Sequence, residues 1–307
     1  MQPISTIPME CGINQLGESN VGKILNFGCG TRPHVRCVNV DLESRPGIIC
    51  HDLRDPLPFQ SHHFDGAYSS HVLEHFTPTQ AHALLRELNR VLRPGGIVRI
   101  VVPDLEEICR EYLKNLESVT ADSTRNRQLQ YEWSVMELFD QMVRDVSGGE
   151  MLKALLDGNI DADYVRKRNG TEFDDIIRAG VRSRETVVPV STTSGSITQA
   201  VGPKRSLIRR GIGRVRQLIS ARRKHKRAPI ASTTDPRQSG ESHRWMYDRH
   251  SLAMRLKDCG FVDVRFLAFD ESQIEGWDSL QLDAIAGDMR PWKPNSIYCE
   301  AIKPCSK

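Results

Sequence analysis

The sequence predicts an α/β fold whose sheet is mostly parallel, with a ligand crevice at the carboxyl ends of the strands. Three observations predict it. Five short apolar runs between residues 23 and 102 end in small or acidic residues, as buried parallel strands do. An amphipathic helix separates the fourth run from the fifth. Two later runs, 262–269 and 296–302, follow a long insertion and fit an added edge of the sheet.

The elements can be placed in order along the chain. Thr77 can cap the clear helix and Pro78 suits its first turn. Apolar residues from Ala81 to Leu92 then follow helical spacing, and Pro94-Gly95-Gly96 ends the helix. Further helices are predicted at about 105–117, 128–146 and 251–259. The five early strands are predicted at 23–27, 36–40, 47–50, 64–68 and 97–102.

The composition is that of a globular protein with an uneven charge. Of the 307 residues, 39% are hydrophobic and 26% are charged. The segment 204–227 contributes +11 to a formal net charge of +3, so the rest of the chain carries −8. We therefore do not expect a fold built to bind nucleic acid. No apolar run is long enough to cross a bilayer, no signal-peptide pattern is found, and the eight cysteines are scattered, so we expect a cytoplasmic protein.

Four turns that follow the predicted strands carry residues suited to a nucleotide-like ligand. Gly28-Cys-Gly30 lets a ligand approach the backbone, whose N–H groups can hold a carboxylate. Asp41 ends the next strand, where an acid can accept hydrogen bonds from ribose hydroxyls. His51-Asp52-Leu53 ends the third strand and could hold the amino group of an adenine. The fourth turn, Ser69 to His75, faces the same crevice.

The spacing of the first two turns does not favour a dinucleotide such as NAD. Only ten residues, 31–40, separate Gly30 from Asp41, and Pro33 interrupts them. A full crossover helix cannot fit into that length, and the third glycine of the dinucleotide pattern is absent.

With Leu92-Arg-Pro-Gly-Gly96, these turns resemble the class I S-adenosylmethionine-dependent methyltransferases over about residues 23–104 and 244–303. The resemblance implies a Rossmann-like sheet, mostly parallel with an antiparallel edge strand. More narrowly, the chain resembles a bacterial subgroup found among polysaccharide and lipopolysaccharide biosynthesis genes. The segments behind the narrower resemblance are 25–30, 38–41, 71–75, 102–105, 131–133, 148–151, 243–248 and 293–296.

The resemblance implies S-adenosylmethionine as the cofactor and assigns its contacts. The glycine turn would hold the methionine part, Asp41 the ribose, Asp52 with Leu53 the adenine, and Ser70 with His71 the edge near the sulfonium. Asn26 stands where the wider family often has an acid, and Arg32 where it often has a third glycine. The predicted cofactor contacts are Asn26, Gly28, Cys29, Gly30, Asp41, Asp52, Leu53 and Ser70.

Methyl transfer to a hydroxyl is an in-line displacement that also requires removal of a proton, and a histidine suits that role. His71 and His75 are the first candidates, with Asp104 a third. Either histidine could instead only bond the backbone of its loop. Trp245 and Tyr247 could stack on a sugar acceptor, whereas Trp133 is expected to pack in the core.

The run His71-Val-Leu-Glu-His75 also matches the His-x-x-Glu-His pattern of a zinc protease family. There both histidines lie on one face of a regular helix. Here the run lies in a turn before the helix capped by Thr77, and no third ligand is evident nearby. The sequence therefore predicts no metal site.

The basic segment 204–227 permits three interpretations. It can be a solvated insertion, which we prefer, a helix on an anionic membrane surface, or a phosphate-binding element. Membrane contact would make the protein peripheral at the inner membrane face. We divide the chain into 1–104, the cofactor-binding part; 105–185, a helical substrate-facing insertion; 186–242, a basic flexible segment; and 243–307, which completes the sheet.

The sequence thus predicts a methyltransferase of class EC 2.1.1 that O-methylates a sugar or glycan precursor, with nucleic acid not expected as a partner. Two alternatives stay open. One is an RNA or protein methyltransferase that uses residues 204–227. The other is a non-catalytic cofactor-binding regulatory protein, which the replacement of an acid by Asn26 favours.

Overall fold

The computed structural model describes residues 22–170, 173, 240–285, 287–288 and 290–305. Its strands are β1 (Ile24–Phe27), β2 (Cys37–Asp41), β3 (Ile48–Cys50), β4 (Phe64–Ser70), β5 (Leu92–Pro103), β6 (Val262–Leu267) and β7 (Ser296–Ile302). They form one seven-stranded sheet in the order β3-β2-β1-β4-β5-β7-β6. β1 to β5 are parallel, and β7 is antiparallel to both β5 and β6. The predicted Rossmann-like, mostly parallel sheet with an antiparallel edge is confirmed.

The helices are α1 (Pro78–Val91), α2 (Leu105–Ala121), α3 (Arg125–Val143), α4 (Gly149–Leu156), α5 (Ala162–Asn169) and α6 (Arg249–Asp258). As predicted, Thr77 caps α1, and with Gln80 it forms a capping box that satisfies backbone groups at both positions. α1 ends at Val91 and β5 begins at once, because Leu92 is already extended and pairs with Phe64. The glycines that the sequence predicts as a turn, Gly95 and Gly96, therefore lie inside the irregular start of β5.

One face of the sheet is covered by α1 and α6. Leu84, Leu85 and Leu88 of α1, with Leu252 and Leu256 of α6, pack on it in the main hydrophobic core. Alternate strand residues point to this face, among them Leu25, Phe27, Val98 and Ile100.

The opposite face is covered without crossover helices. Residues 28–63, all of which the structure describes, contain no helix, as the short spacing from Gly30 to Asp41 predicts. Instead, residues 274–283, the late segment, lie across this face. Its apolar side chains Ile274, Trp277, Leu280 and Leu282 pack on Ile24, Tyr68, Val101 and Tyr298 of the sheet.

Arg99 fastens this late segment to the sheet. Its side chain is fully buried, and it binds Asp283 at 2.7 Å (Nε to Oδ2) and Glu300 at 2.8 Å (Nη1 to Oε1). It also donates to the carbonyl oxygens of Glu271 and Phe269, and its guanidinium lies 4.8 Å from the ring centroid of Trp277. A buried cation is tolerated when carboxylates and acceptors surround it in this way.

The insertion packs as a small helical unit beside the sheet. Trp133 is buried with Met151, Leu155 and Val165, and its indole N–H donates to Glu137, so it belongs to the core as expected. Arg168 pairs with Glu137 at 2.8 Å inside the same unit. The basic segment 204–227 lies outside the described residues, as does all of 186–242 except 240–242. No helix in the described part of the chain is long and apolar enough to span a membrane.

Candidate active site

The glycine turn after β1 is held tightly against the neighbouring strand. The backbone N–H groups of Gly28 and Cys29 both donate to the carbonyl oxygen of Val40, at 2.8 and 3.1 Å. Gly28 has φ = 64°, a left-handed conformation that side chains disfavour. A Cβ on Gly28 would also lie 2.5 Å from Cγ2 of Val72. Only glycine fits here, so the turn brings bare backbone to the crevice edge.

Asp41 joins the ends of β2 and the glycine turn. Its Oδ2 accepts a hydrogen bond from Gly30 N–H at 2.7 Å, and its Oδ1 accepts one from Glu43 N–H at 3.2 Å. Both bonds orient the carboxylate at the crevice, where an acid suited to ribose hydroxyls was predicted.

Asn26 supports the glycine turn from beneath. Its buried Nδ2 donates to Asn39 Oδ1 at 2.9 Å and to Arg32 carbonyl oxygen at 3.1 Å. A carboxylate at this position could not donate to either acceptor. An amide is therefore needed at position 26, because its N–H groups link β1 to β2 and to the glycine turn.

A cavity of about 290 Å³, the first cavity, opens at the carboxyl ends of the parallel strands. Four of the predicted cofactor contacts line it: Gly28, Asp41, Asp52 and Leu53. The other four are not among its described lining residues. Asn26 is buried below the turn, Gly30 directs its N–H to Asp41, and Ser70 ends β4. Cys29 is buried, and burial, with Asp41 nearby, raises the pKa of its thiol.

The first cavity also has walls that sequence reasoning missed. Arg54 binds Asp52 through two nitrogens, with Nη2 to Oδ2 at 2.7 Å, and these hydrogen bonds hold the pKa of Asp52 below its usual range. The i,i+2 spacing of the two charges was the available signal. Phe76, just before α1, and Gln80, in its first turn, also line the wall. Their approach depends on the turn before that helix, which no local pattern predicts.

His71 lies at the end of β4 in a left-handed conformation, with φ = 54°. Its Nδ1 is 3.6 Å from Oε1 of Glu74, and its Nε2 is 2.9 Å from Oγ of Ser296. Burial, and then the nearby side chains of Lys293, His243 and His75, lower the pKa of His71 well below its usual value. The imidazole is therefore neutral near pH 7.

His75 closes a short 3-10 helix, Leu73–His75, which is the last part of the fourth turn. Its Nδ1 is 3.2 Å from the carbonyl oxygen of Ser242. Its ring packs edge-on against His243, with ring centroids 4.9 Å apart. Both contacts come from a part of the chain far away in sequence, so the pattern 71–75 alone could not predict them.

A second cavity, of about 460 Å³, lies between the fourth turn and the helical insertion. Polar side chains are prominent in its wall, among them Gln141, Arg144, Asn169, Glu241, His243 and Lys293. Burial, and then the nearby side chains of His75, Arg144 and Lys293, lower the pKa of His243 well below its usual value. The two cavities share His71, His75 and Gly240 as lining residues, so they meet at the two predicted catalytic histidines.

The structure does not bring Asp104 to either cavity. Asp104 is the N-cap of α2, accepting from Glu106 N–H at 3.0 Å and Glu107 N–H at 3.3 Å, and it lies 3.5 Å from Arg249. Its contacts are those of a helix cap. Trp245 and Tyr247 do not line the two cavities either; Tyr247 is buried in the main core and Trp245 is 43% exposed.

Comparison with known proteins identifies part of the chain. Residues 25–100 match a family described as a methyltransferase domain. That match covers β1 to β4, α1 and most of β5, which together contribute the glycine turn, Asp41, Asp52 and the fourth turn. No curated protein matches the chain.

Several solved structures are similar to it. A protein from Pyrococcus horikoshii is 26% identical over 31% of this chain and 55% of its own, with a TM-score of 0.27. An S-adenosylmethionine-dependent methyltransferase from Mesorhizobium loti is 24% identical over 30% and 51%, with a TM-score of 0.25. One from Archaeoglobus fulgidus is 11% identical over 92% and 87%, with a TM-score of 0.37. This chain spans about half the length of the first two.

Proposed function

We propose that this protein, whose residues 25–100 match a methyltransferase domain, transfers the methyl group of S-adenosylmethionine to a hydroxyl of a sugar or glycan precursor. The observation that carries the proposal is the meeting of the two cavities at His71 and His75. The cofactor would occupy the first cavity and the acceptor the second. The methyl group would then pass between them at the shared wall.

The first cavity supports this placement of the cofactor. Its glycine turn offers backbone to the methionine part, its oriented Asp41 carboxylate to the ribose, and Asp52 with Leu53 to the adenine. These groups end or follow β1, β2 and β3, which lie side by side in the sheet.

The second cavity supports a polyhydroxyl acceptor. Amide, guanidinium, carboxylate and ammonium groups from Gln141, Arg144, Glu241 and Lys293 reach its wall. Such a wall offers hydrogen-bond donors and acceptors to the many hydroxyls of a sugar. The resemblance to methyltransferases of polysaccharide biosynthesis points to the same acceptor class.

In the proposed reaction the acceptor oxygen attacks the methyl carbon on the side opposite the sulfur. The carbon–sulfur bond breaks, and its electron pair stays on sulfur, which leaves neutral S-adenosylhomocysteine. The acceptor's proton passes to Nε2 of His71, which Ser296 faces at 2.9 Å before the acceptor binds. Glu74, 3.6 Å from Nδ1, then stabilises the imidazolium that forms.

Binding of S-adenosylhomocysteine, measured by calorimetry, tests the cofactor site. We expect micromolar affinity for the wild-type protein, about −8 kcal/mol. Asp41→Ala should weaken it by about 10- to 100-fold, because the variant loses a charge-assisted hydrogen bond to the ribose worth about 1.5–3 kcal/mol. The matched control is Glu43→Ala, which removes an exposed acid two residues away and should bind as the wild type does. No binding by a folded wild-type protein would refute the cofactor site.

Transfer of labelled methyl from S-adenosylmethionine tests the acceptor class. Purified protein would be incubated with separate fractions of glycan precursors, RNA and protein from bacterial extract. Label in the glycan fraction alone is the expected result. Label in RNA or protein would favour the alternative in which residues 204–227 bind the acceptor. Cofactor binding without label in any fraction would favour a regulatory protein.

A further inference from the structure

Three side chains that commonly bind metals converge beside the second cavity. Glu74 and His75 come from the fourth turn, and His243 lies shortly before α6. Their ligand atoms, a carboxylate oxygen and two ring nitrogens, all lie within 4.8 Å of one another. Glu74 is fully buried and His243 is 5% exposed. Two imidazoles and a carboxylate this close together form a candidate metal-binding cluster.

The backbone holds this cluster in place without help from a ligand. The carbonyl oxygen of Glu74 accepts hydrogen bonds from the N–H groups of Arg244 and Trp245, at 2.7 and 3.1 Å. The N–H of His243 donates to the carbonyl oxygen of Gln141 in α3, at 2.9 Å. The fourth turn, α3 and the segment around 243 are therefore tied together where the three side chains meet.

The hydrogen bond of His75 sets which of its ring nitrogens carries the lone pair. Nδ1 is 3.2 Å from the carbonyl oxygen of Ser242, an acceptor, so Nδ1 carries the proton. Nε2 is then free of a proton. Histidines that bind metals commonly donate their other ring N–H to a backbone carbonyl or a carboxylate in this way.

The donor set selects the kind of metal. Two imidazoles and one carboxylate suit Zn²⁺ and similar transition metals, whereas Mg²⁺ and Ca²⁺ prefer oxygen ligands throughout. Tetrahedral Zn²⁺, with bonds of about 2.0–2.1 Å, sets ligand atoms about 3.3 Å apart. Side-chain movements of about 1.5 Å or less would bring these three atoms into that arrangement.

We propose that Glu74, His75 and His243 bind a divalent transition-metal ion of the Zn²⁺ type at the wall of the second cavity. Three protein ligands leave a position open for an oxygen of the bound molecule. That position would hold the acceptor hydroxyl and make its proton easier to remove, a role that rests on the proposed methyl transfer. His71, which contacts Glu74, would lie next to that oxygen.

The sequence-based expectation of no metal site rested on the absence of a third ligand near 71–75. That third ligand is His243, which only the folded chain brings close. The ligand set also differs from the zinc protease pattern, because Glu74 is a ligand in place of His71.

Titration of the chelator-treated protein with Zn²⁺, Co²⁺ and Mg²⁺ alone tests the metal site, with no cofactor present. We expect one equivalent of Zn²⁺ to bind, a Co²⁺ absorption spectrum typical of four-coordination, and no comparable binding of Mg²⁺. His243→Ala should weaken Zn²⁺ binding by more than about 100-fold, since even loss of an outer hydrogen-bond partner of a ligand costs about 10–100-fold. The matched control is His250→Ala, which removes an exposed histidine on α6.

A second variant, Glu74→Gln, and thermal melting of each variant separate lost ligation from misfolding. Equal Zn²⁺ affinity for the wild type and a folded His243→Ala protein would overturn the proposal, as would no Zn²⁺ binding to the wild type. Binding of S-adenosylhomocysteine is measured in parallel. If the wild-type protein binds Zn²⁺ but not S-adenosylhomocysteine, the proposed cofactor site is refuted and the metal site stands. If it binds S-adenosylhomocysteine but not Zn²⁺, the metal site is refuted and the cofactor site stands.

Discussion

Replacing His71 by asparagine is expected to lower the rate of methyl transfer by about 10²- to 10⁴-fold, the usual contribution of a positioned proton acceptor. The substitution is chosen for its backbone: His71 has φ = 54°, and asparagine is among the residues that tolerate this left-handed conformation. The amide side chain occupies similar space but cannot take the proton. The measurement is the initial rate of S-adenosylhomocysteine formation at saturating S-adenosylmethionine. The acceptor is the extract fraction that becomes labelled in the methyl-transfer experiment.

Two controls make this result specific. His250→Asn, on the exposed side of α6, should leave the rate unchanged. The affinity of His71→Asn for S-adenosylhomocysteine should stay within about tenfold of wild type, because the glycine turn and Asp41 still contribute most of the binding energy. A rate within about threefold of wild type would exclude His71 as the proton acceptor. The same substitution at His75 would then be the next to measure.

Replacing Arg99 by methionine should lower the free energy of unfolding by about 3–5 kcal/mol, the cost of leaving buried charges without their partner. Asp283 and Glu300 would remain under the late segment, 3% and 0% exposed, with their shared cation gone. Methionine fills much of the space, so the loss is electrostatic rather than a cavity. Urea unfolding of the purified protein measures it.

The matched control for Arg99 is Arg93→Met on the same strand. Arg93 pairs with Asp65 at 2.6 Å, but both side chains are substantially exposed, at 51% and 39%. An exposed pair of this kind contributes about 0–1 kcal/mol. The double variant Arg99→Met/Glu300→Gln should regain part of the lost stability, because it removes one uncompensated carboxylate. Equal losses for Arg99→Met and Arg93→Met would contradict this account of the buried cluster.

Much of the fold was predictable because its signals are local. The strands of the parallel core are short apolar runs that end in turn residues, and α1 combines a capping box with helical spacing. The start of β5 was misplaced because Pro94 and the two glycines after it usually mark a turn. Pairing of Leu92 with Phe64, a contact across the sheet, overrides that local preference.

The candidate site was predictable on the cofactor side and much less so on the acceptor side. Asp41 and Asp52 lie at strand ends, where topology alone brings side chains to one edge. The second cavity instead depends on α3, α4 and the segments around 241 and 293, whose approach to the fourth turn results from tertiary packing. Asp104 also lies just past a strand, but it caps α2 and lines neither cavity. A position at a strand end therefore does not by itself predict a site residue.

The late segment across the sheet has a consequence for synthesis of the chain. Ile24, Tyr68 and Val101 emerge from the ribosome long before Ile274 and Trp277, the residues that cover them. Leu252 and Leu256 complete the other face equally late. A nascent chain that ends near residue 104 therefore carries the glycine turn and both acids on a sheet with incompletely covered faces. Such exposed apolar surface is a substrate for chaperones and a source of aggregation. Residues 22–104 therefore depend on the side chains between 252 and 282 for the cover that makes them stable.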